Sequence, residues 1–173
     1  DGMVPFDQQL PQWEPCTEIA DESLRAQFPL QLTNTRTRFR IHNQFYDSDW
    51  LQLMYEPLVM LNPADMASRG LETGDVVRVF NDRGQAVVKA ILSEGIRPGM
   101  CNMPKGWQAC QHAAANNAIR PGSVRIYEAA TADYTVAGNL QNVTNNTMIE
   151  RGYDLMCGPV IPFSDTLVEI EKA

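Results

Sequence analysis

The stretch 34–44 carries the densest group of side chains that could bind an anion. Arg36, Arg38 and Arg40 alternate along it, and amide or imidazole groups stand near both ends, at Asn34, His42, Asn43 and Gln44. A guanidinium group can donate two parallel hydrogen bonds to the oxygens of a pyrophosphate. Amides and an imidazole can match the donors and acceptors of a heterocyclic ring. The alternation predicts that the three arginines lie on one face of a strand. The residues alone leave two interpretations open, a phosphate-binding loop and a solvated basic edge that prevents strand pairing, and they slightly favour the second.

Two further positions could contact a ligand, and each also has a structural explanation. Trp107 after Gly106 could pack in the core, because Trp buries a large apolar area and Gly permits a close approach. Asn142 is equally typical of a turn. His42 taken alone is more often a structural histidine than a catalytic one. These patterns predict no catalytic residue.

The cysteines do not predict a metal site. They stand at positions 16, 101, 110 and 157, and none of these spacings matches the paired CxxC unit of a zinc or iron–sulfur site. The chain has only 2 histidines that could add ligands. We interpret the cysteines as isolated thiols, although a Cys101–Cys110 disulfide stays open.

The elements that would position these residues are short strands and brief helices. Asn62 and Pro63 form a helix start, with Asp65 in the first turn and Gly70 as the expected stop. Alternating or apolar runs predict strands at 28–33, 38–41, 58–61, 76–80, 86–92 and 167–170. We expect the run 58–61 to be covered on both faces, Gly84 to supply positive φ to a hairpin turn, and a helix near 108–118.

The pattern as a whole predicts a small, mainly β barrel with short helices. Residues 1–27 contain three prolines and show neither a helical nor a strand period, so we expect them to form an extended N-terminal arm.

Length, charge and hydropathy exclude several classes of protein. The 173 residues suffice for one domain with a real core, and 44% of them are hydrophobic. A formal net charge of −7 repels polyphosphate backbones and argues against nucleic-acid binding as the main task. No apolar stretch approaches the ~20 residues of a membrane span, and the first residues show no export signal. A small anionic ligand stays possible, because a local arginine cluster can override the mean charge.

Several short motifs in sequence order resemble the C-terminal dinucleotide-binding domain of the molybdopterin oxidoreductases, in the dimethyl sulfoxide reductase branch. Arg40-Ile41-His42-Asn43-Gln44 is similar to the family's Arg-x-His-Ser-Gln loop, with Asn43 in place of the usual serine. The other matching motifs are Pro29 to Thr33, Asn62-Pro63-Ala64-Asp65, Val77 to Gly84, Arg97-Pro98-Gly99, Gly106-Trp107, Asn142-Val143 and Leu167 to Lys172. Thr144-Asn145 after Val143 departs from the family's Asn-x-Leu-Thr continuation.

The resemblance implies a double-psi β-barrel, similar to that of aspartate decarboxylase, over residues 28–173 after the arm of residues 1–27. It implies that the domain closes over bis-molybdopterin guanine dinucleotide carrying molybdenum or tungsten, and it reverses the preference for a solvated basic edge. The residues implied to contact that cofactor are Asn34, Thr35, Arg36, Arg40, His42, Asn43, Gln44, Gly106, Trp107 and Asn142.

The resemblance also implies that the chain is a piece of a larger catalytic subunit, since the family's metal ligand and substrate funnel belong to preceding domains. The expected partners are those other domains, against which the arm would lie, and an iron–sulfur electron-transfer subunit. A cytoplasmic and a cell-envelope location in a bacterium or archaeon both stay open. Two alternatives remain: a stand-alone β-barrel binding module without a cofactor, and an aspartate decarboxylase-like enzyme that cleaves itself at Gly122-Ser123.

Overall fold

The computed structural model describes residues 16, 18–39, 41, 44, 58–105, 164 and 166–173. In chain order these residues form α1 (Glu22–Gln27), β1 (Leu30–Thr33), β2 (Leu58–Leu61), α2 (Pro63–Ser68), β3 (Val76–Asn81), β4 (Gly84–Leu92), β5 (Met100–Asn102) and β6 (Leu167–Lys172). The strands predicted near 28–33, 58–61, 76–80, 86–92 and 167–170 are confirmed.

The described strands close into a barrel in the order β1-β5-β2-β4-β3-β6, and β6 returns to β1. The pairs β1–β5 and β2–β4 are parallel. The pairs β2–β5, β3–β4, β3–β6 and β1–β6 are antiparallel. The prediction of a mainly β barrel with short helices is confirmed, and the more specific double-psi topology stays a prediction.

The core follows from the period of two in the strands. On β3 every second residue is buried. Val77 and Val79 are fully buried, and their neighbours Val76, Arg78 and Phe80 are half-buried. Each buried aliphatic side chain stabilises the fold by ~1.5–3 kcal/mol. The other fully or almost fully buried aliphatic residues are Leu30, Leu32, Val59, Leu61, Val88, Leu167, Val168 and Ile170.

Helix α2 begins where the capping signals predicted. The Asn62 side chain accepts a hydrogen bond from the backbone N–H of Ala64 at 2.9 Å, and Pro63 occupies the first helical position. Gly70, at φ 63°, provides the left-handed stop. Asp65 also accepts from the Gly99 N–H at 2.9 Å, so the helix fixes the turn that leads into β5.

Two strand predictions need correction. Arg38 and Phe39 form a turn instead of continuing a strand, so the predicted alignment of the three arginines on one strand face is wrong. The physical reason is the lack of a paired neighbour: the last pairing beyond β1 in the described chain is the isolated bridge between Arg36 and Lys105. In β2, Leu58 and Met60 are only half-buried, so that strand is covered fully on one face alone.

The β3–β4 hairpin is confirmed, but its glycine acts differently from the expectation. Gly84 already pairs with Asn81 as the first residue of β4, and it is not among the described glycines with positive φ. The turn is stabilised instead by the Asn81 side chain, which accepts from the Arg83 N–H at 3.1 Å. The Asn81 amide also donates to the Leu167 carbonyl at 3.0 Å and so ties the hairpin to β6.

Residues 22–27 are helical, so the prediction of an extended arm is wrong for this part of residues 1–27. The Asp21 side chain caps α1 by accepting from the N–H groups of Ser23 at 2.9 Å and Leu24 at 3.1 Å. A helix of 6 residues is too short to show a clear period, so capping decides its formation.

The segment before α1 lies on the barrel itself. Glu18 binds Arg83 through both carboxylate oxygens at 3.0 Å and accepts from the Leu167 N–H at 2.7 Å. This contact departs from the expectation that the arm lies against other domains. The division at residue 28 stays a prediction, and the predicted helix near 108–118 lies outside the described residues. Over the part of the chain that is described, no helix is long and apolar enough to span a membrane.

Candidate functional site

The carboxyl ends of β1 and β5 bring two separate segments of the chain to one edge of the barrel. The strands run parallel with Thr33 opposite Asn102, and the pairing continues beyond both strands. The Met103 N–H donates to the Thr33 carbonyl and the Lys105 N–H donates to the Thr35 carbonyl, each at 3.0 Å. We call residues 34–38 and 103–105 the basic edge.

The charged side chains of the basic edge are all positive. Arg36 and Arg38 are exposed, and Lys105 is half-buried beside Arg36. Within the described part of the chain, no ion pair joins these three side chains to a carboxylate. Three cations gathered in this way repel one another unless an anion binds between or beside them.

Thr37, between the two arginines in sequence, carries a hydroxyl that is buried and has no hydrogen-bond partner among the described residues. A buried polar group without a partner costs ~1–3 kcal/mol of stability. The charged donors of the basic edge are two guanidinium groups and an ammonium group, and donors of these kinds fit a phosphate or diphosphate.

Below the basic edge, Asn102 connects the two strands through hydrogen bonds. Its side chain accepts from the Thr35 hydroxyl at 3.0 Å and donates to the Thr33 hydroxyl at 3.0 Å. Thr33 in turn donates to the Cys101 carbonyl at 3.0 Å. Asn102 is 3% exposed, so the start of the 34–38 segment is fixed by a buried amide.

The neighbouring Cys101 takes no part in this polar arrangement. It is fully buried, and burial raises the pKa of its thiol far above the ordinary value. The thiol therefore stays neutral and packs as a small apolar group. Among the described residues, no group of three or more His, Cys, Asp or Glu side chains could hold a metal ion.

The structure brings together part of the predicted set of site residues. Thr35 and Arg36 lie at the basic edge, and Asn34 lies between β1 and Thr35. Gln44 is exposed, and its N–H donates to the Ile41 carbonyl at 2.9 Å; no hydrogen bond among the described residues joins it to the basic edge. The remaining predicted residues lie outside the described part of the chain: Arg40, His42, Asn43, Gly106, Trp107 and Asn142.

Sequence reasoning did not select Lys105 or Asn102 as site residues. Lys105 could have been found from its position immediately before Gly106-Trp107, a motif already singled out. Asn102 gave no local signal, because its partners Thr33 and Thr35 are 67 to 69 positions away in sequence. Only the parallel pairing of β1 with β5 reveals that contact.

Comparison with known proteins identifies this barrel. Residues 30–136, more than half of the chain, match the family described as "Molydopterin dinucleotide binding domain". The chain belongs to this family. The match includes both segments of the basic edge, and it confirms the predicted family and the prediction of a cofactor-binding domain.

Two curated relatives of this molybdopterin dinucleotide-binding domain are reductases of Escherichia coli strain K12. Dimethyl sulfoxide reductase DmsA is 29% identical over 142 residues, which are 82% of this chain and 17% of that protein. Trimethylamine-N-oxide reductase 1 is 40% identical over 84 residues, which are 46% of this chain and 10% of that protein. The chain thus spans less than a fifth of the length of either relative.

A solved structure shares the fold. Acetylene hydratase from Pelobacter acetylenicus superposes with a TM-score of 0.68 over 95% of this chain and 21% of that chain, at 18% sequence identity. At this level of identity the likeness concerns the fold alone.

Proposed function

We propose that the basic edge binds the diphosphate of a molybdopterin dinucleotide. The observation that carries the proposal is the group of Arg36, Arg38 and Lys105, which have no carboxylate partner in the described chain. Family membership supplies the identity of the ligand, since the matched domain is one that binds this dinucleotide. The diphosphate of this ligand is strongly anionic and presents oxygens that these cations fit.

The remaining predicted residues belong to the same proposal. Two groups of predicted residues would contact the ligand. The group that follows β1 comprises Asn34, Thr35, Arg36, Arg40, His42, Asn43 and Gln44. The group from the later segments comprises Gly106, Trp107 and Asn142. Lys105 supports this arrangement. It immediately precedes Gly106, and its β-bridge to Arg36 holds it beside the segment 34–38. The amide and imidazole groups would then contact the heterocyclic rings.

The metal bound to such a dinucleotide supplies two-electron redox chemistry, including oxygen-atom transfer. The residues of this chain contribute binding, orientation and charge. Arg36, Arg38 and Lys105 would neutralise the diphosphate, and the Asn102 side-chain oxygen, which accepts from the Thr35 hydroxyl, holds the first segment in place. A positive edge near the ligand also favours the more negative, reduced state of whatever centre the ligand carries.

For the whole protein we propose the catalytic subunit of a molybdenum or tungsten oxidoreductase that holds two molybdopterin guanine dinucleotides. The named relatives reduce dimethyl sulfoxide or trimethylamine N-oxide, and this chain would serve an enzyme of that kind. Its partners would be the other domains of the same subunit, together with an iron–sulfur electron-transfer subunit. The small share of the relatives' length that the chain covers supports the first of these partners.

Arg36→Ala tests the proposal. It removes a charge-assisted contact to phosphate, worth ~1.5–3 kcal/mol, so the dinucleotide should leave the purified protein about ten to a hundred times faster. The measurement is the rate at which pterin and guanine nucleotide are released from the loaded protein. Arg97→Ala is the matched control, because Arg97 is equally exposed and precedes β5 at the end away from Lys105. Equal release rates for Arg36→Ala, Arg97→Ala and the wild type would contradict the proposal.

A further inference from the structure

Asn102 fixes the direction in which the threonine hydroxyls at the basic edge can hydrogen-bond. A hydroxyl has one hydrogen to donate and two lone pairs that accept. Thr33 gives its hydrogen to the Cys101 carbonyl at 3.0 Å, so its oxygen can only accept from the Asn102 amide. The donating NH2 group of Asn102 must therefore face Thr33.

The opposite orientation of the amide would cost a hydrogen bond. Thr33 would have to turn its hydrogen from the Cys101 carbonyl to the Asn102 oxygen. Asn102 is 3% exposed, so water offers little replacement. The Asn102 oxygen therefore faces Thr35, and the hydrogen of the Thr35 hydroxyl points inward to it at 3.0 Å.

We infer that Thr35 presents only a hydrogen-bond acceptor to the ligand and that Asn102 is the positioning residue that makes it so. Thr35 is exposed, and its carbonyl is held by the Lys105 N–H at 3.0 Å, so its oxygen is accessible on a fixed backbone. A diphosphate oxygen has no hydrogen to offer such an acceptor. Thr35 therefore recognises an N–H group.

This inference rests on the proposed function, because the N–H group belongs to the proposed dinucleotide. The matching chemistry is the 2-amino-4-oxopyrimidine edge, which carries a ring N–H and an amino group. Both the guanine and the pterin of a molybdopterin guanine dinucleotide contain this edge, so either ring could contact Thr35.

Thr35→Val and Thr35→Ser test the contact directly. Valine keeps the shape but removes the acceptor, so the dinucleotide should leave the loaded protein roughly 3 to 10 times faster. Serine keeps the hydroxyl and should release the ligand at close to the wild-type rate. Wild-type release from Thr35→Val would overturn the inference.

A double-mutant cycle tests the positioning role. Asn102→Ala alone should speed release, but adding it to Thr35→Val should change nothing further, because Asn102 acts through the Thr35 hydroxyl. Additive effects would show a merely structural role and would overturn this part. Should Asn102→Ala fail to fold, Thr33→Val replaces it in the cycle, since that change frees the amide to rotate.

The source of the N–H group is distinguished by titrating guanosine diphosphate and 6-carboxypterin separately into cofactor-free protein. The probe whose affinity falls in Thr35→Val and returns in Thr35→Ser identifies the ring. Unchanged affinity for both probes would contradict the inference. If Thr35→Val releases the ligand at the wild-type rate and Arg36→Ala releases it faster, only the role of Thr35 is overturned. If Arg36→Ala releases it at the wild-type rate and Thr35→Val releases it faster, only the diphosphate assignment is overturned.

Discussion

Arginines at the wall formed by β3 and β6 and arginines at the basic edge have opposite surroundings. At the wall, Arg69 binds Glu169 at 2.6 Å, Arg78 binds Glu171 at 2.6 Å and Arg83 binds Glu18 at 3.0 Å. At the basic edge, Arg36 and Arg38 have no carboxylate partner in the described chain. The wall satisfies its charges internally, and the edge does not.

This difference shows how a chain with a formal net charge of −7 can still bind an anion. Many of the acidic residues near the wall are already paired with bases, so they add little negative potential at a distance. The unpaired cations at the basic edge act locally, where a phosphate would be within contact distance. Paired arginines thus indicate a structural role, and arginines without a carboxylate partner in the described chain indicate an anionic ligand.

The largest effect should come from breaking the most buried pair of the wall. Glu18→Ala should lower the free energy of unfolding by ~2–3 kcal/mol, because it removes the Arg83 pair and leaves the buried Leu167 N–H without its acceptor. The value is below that of a fully buried pair because the Arg83 side chain is 31% exposed. Urea denaturation provides the measurement.

Glu18→Gln is the matched control for this change. It keeps an oxygen that can accept from the Leu167 N–H and removes only the charge. Its free energy of unfolding should therefore fall clearly less than that of Glu18→Ala. A Glu18→Ala protein as stable as the wild type would show that the contact of the pre-helix segment with the barrel does not stabilise the fold.

A smaller effect is expected in acid at Asp75. The Glu72 N–H, which donates to this carboxylate at 2.9 Å, and then the Lys172 ammonium hold the pKa of Asp75 below its ordinary value. A carboxyl with a lowered pKa stabilises the fold above its unfolded value, near 4, and loses that contribution as pH falls through the folded value. Stability should therefore decline slightly below about pH 4, and Asp75→Asn should lack this part of the decline.

Lys172→Met sharpens the same measurement. It removes both the hydrogen bond and the charge that Lys172 supplies and leaves the Glu72 hydrogen bond, so part of the acid-dependent decline should persist in unfolding curves recorded between about pH 2 and pH 5. If Asp75→Asn shows the full wild-type decline, the acid sensitivity arises elsewhere.

The smallest effect on stability should come from the basic edge itself. Lys105→Ala should change the free energy of unfolding of the ligand-free protein by no more than about 0.5 kcal/mol, because no carboxylate of the described chain pairs with it. Thermal or urea unfolding checks this, with Glu18→Ala as the reference for a paired position. A loss as large as that of Glu18→Ala would remove the contrast between the two regions.

Local signals were enough to predict much of the barrel. Asn62, Pro63 and Gly70 specify α2 through contacts within a few residues, and the alternation in 76–80 specifies β3. The same reasoning failed at Arg38 and Phe39, which form a turn, and the last described pairing beyond β1 is the bridge between Arg36 and Lys105. An alternating sequence indicates which side chains could share one face of a strand. A strand forms only where a neighbouring strand pairs with its backbone N–H and C=O groups.

The candidate site was predictable in its residue types but not in its geometry. The arginines of 34–40 left an anion site and a solvated basic edge open and slightly favoured the basic edge. The family motifs reversed that preference and indicated the class of ligand. The pairing of Arg36 with Lys105 and the link from Thr35 to Asn102 join positions that are 67 or more apart, so no local pattern contained them.

By itself the sequence determined the family, the main strands, helix α2 and the presence of a basic segment, because motifs, caps and periods act between residues close in the chain. Only the tertiary structure decided that β6 closes the barrel between β1 and β3, that Glu18 binds Arg83, and that Asn102 orients Thr35. These contacts depend on which distant strands pair and in what register. That choice is set by the packing of the whole core, in which residues from every strand must fill one common space.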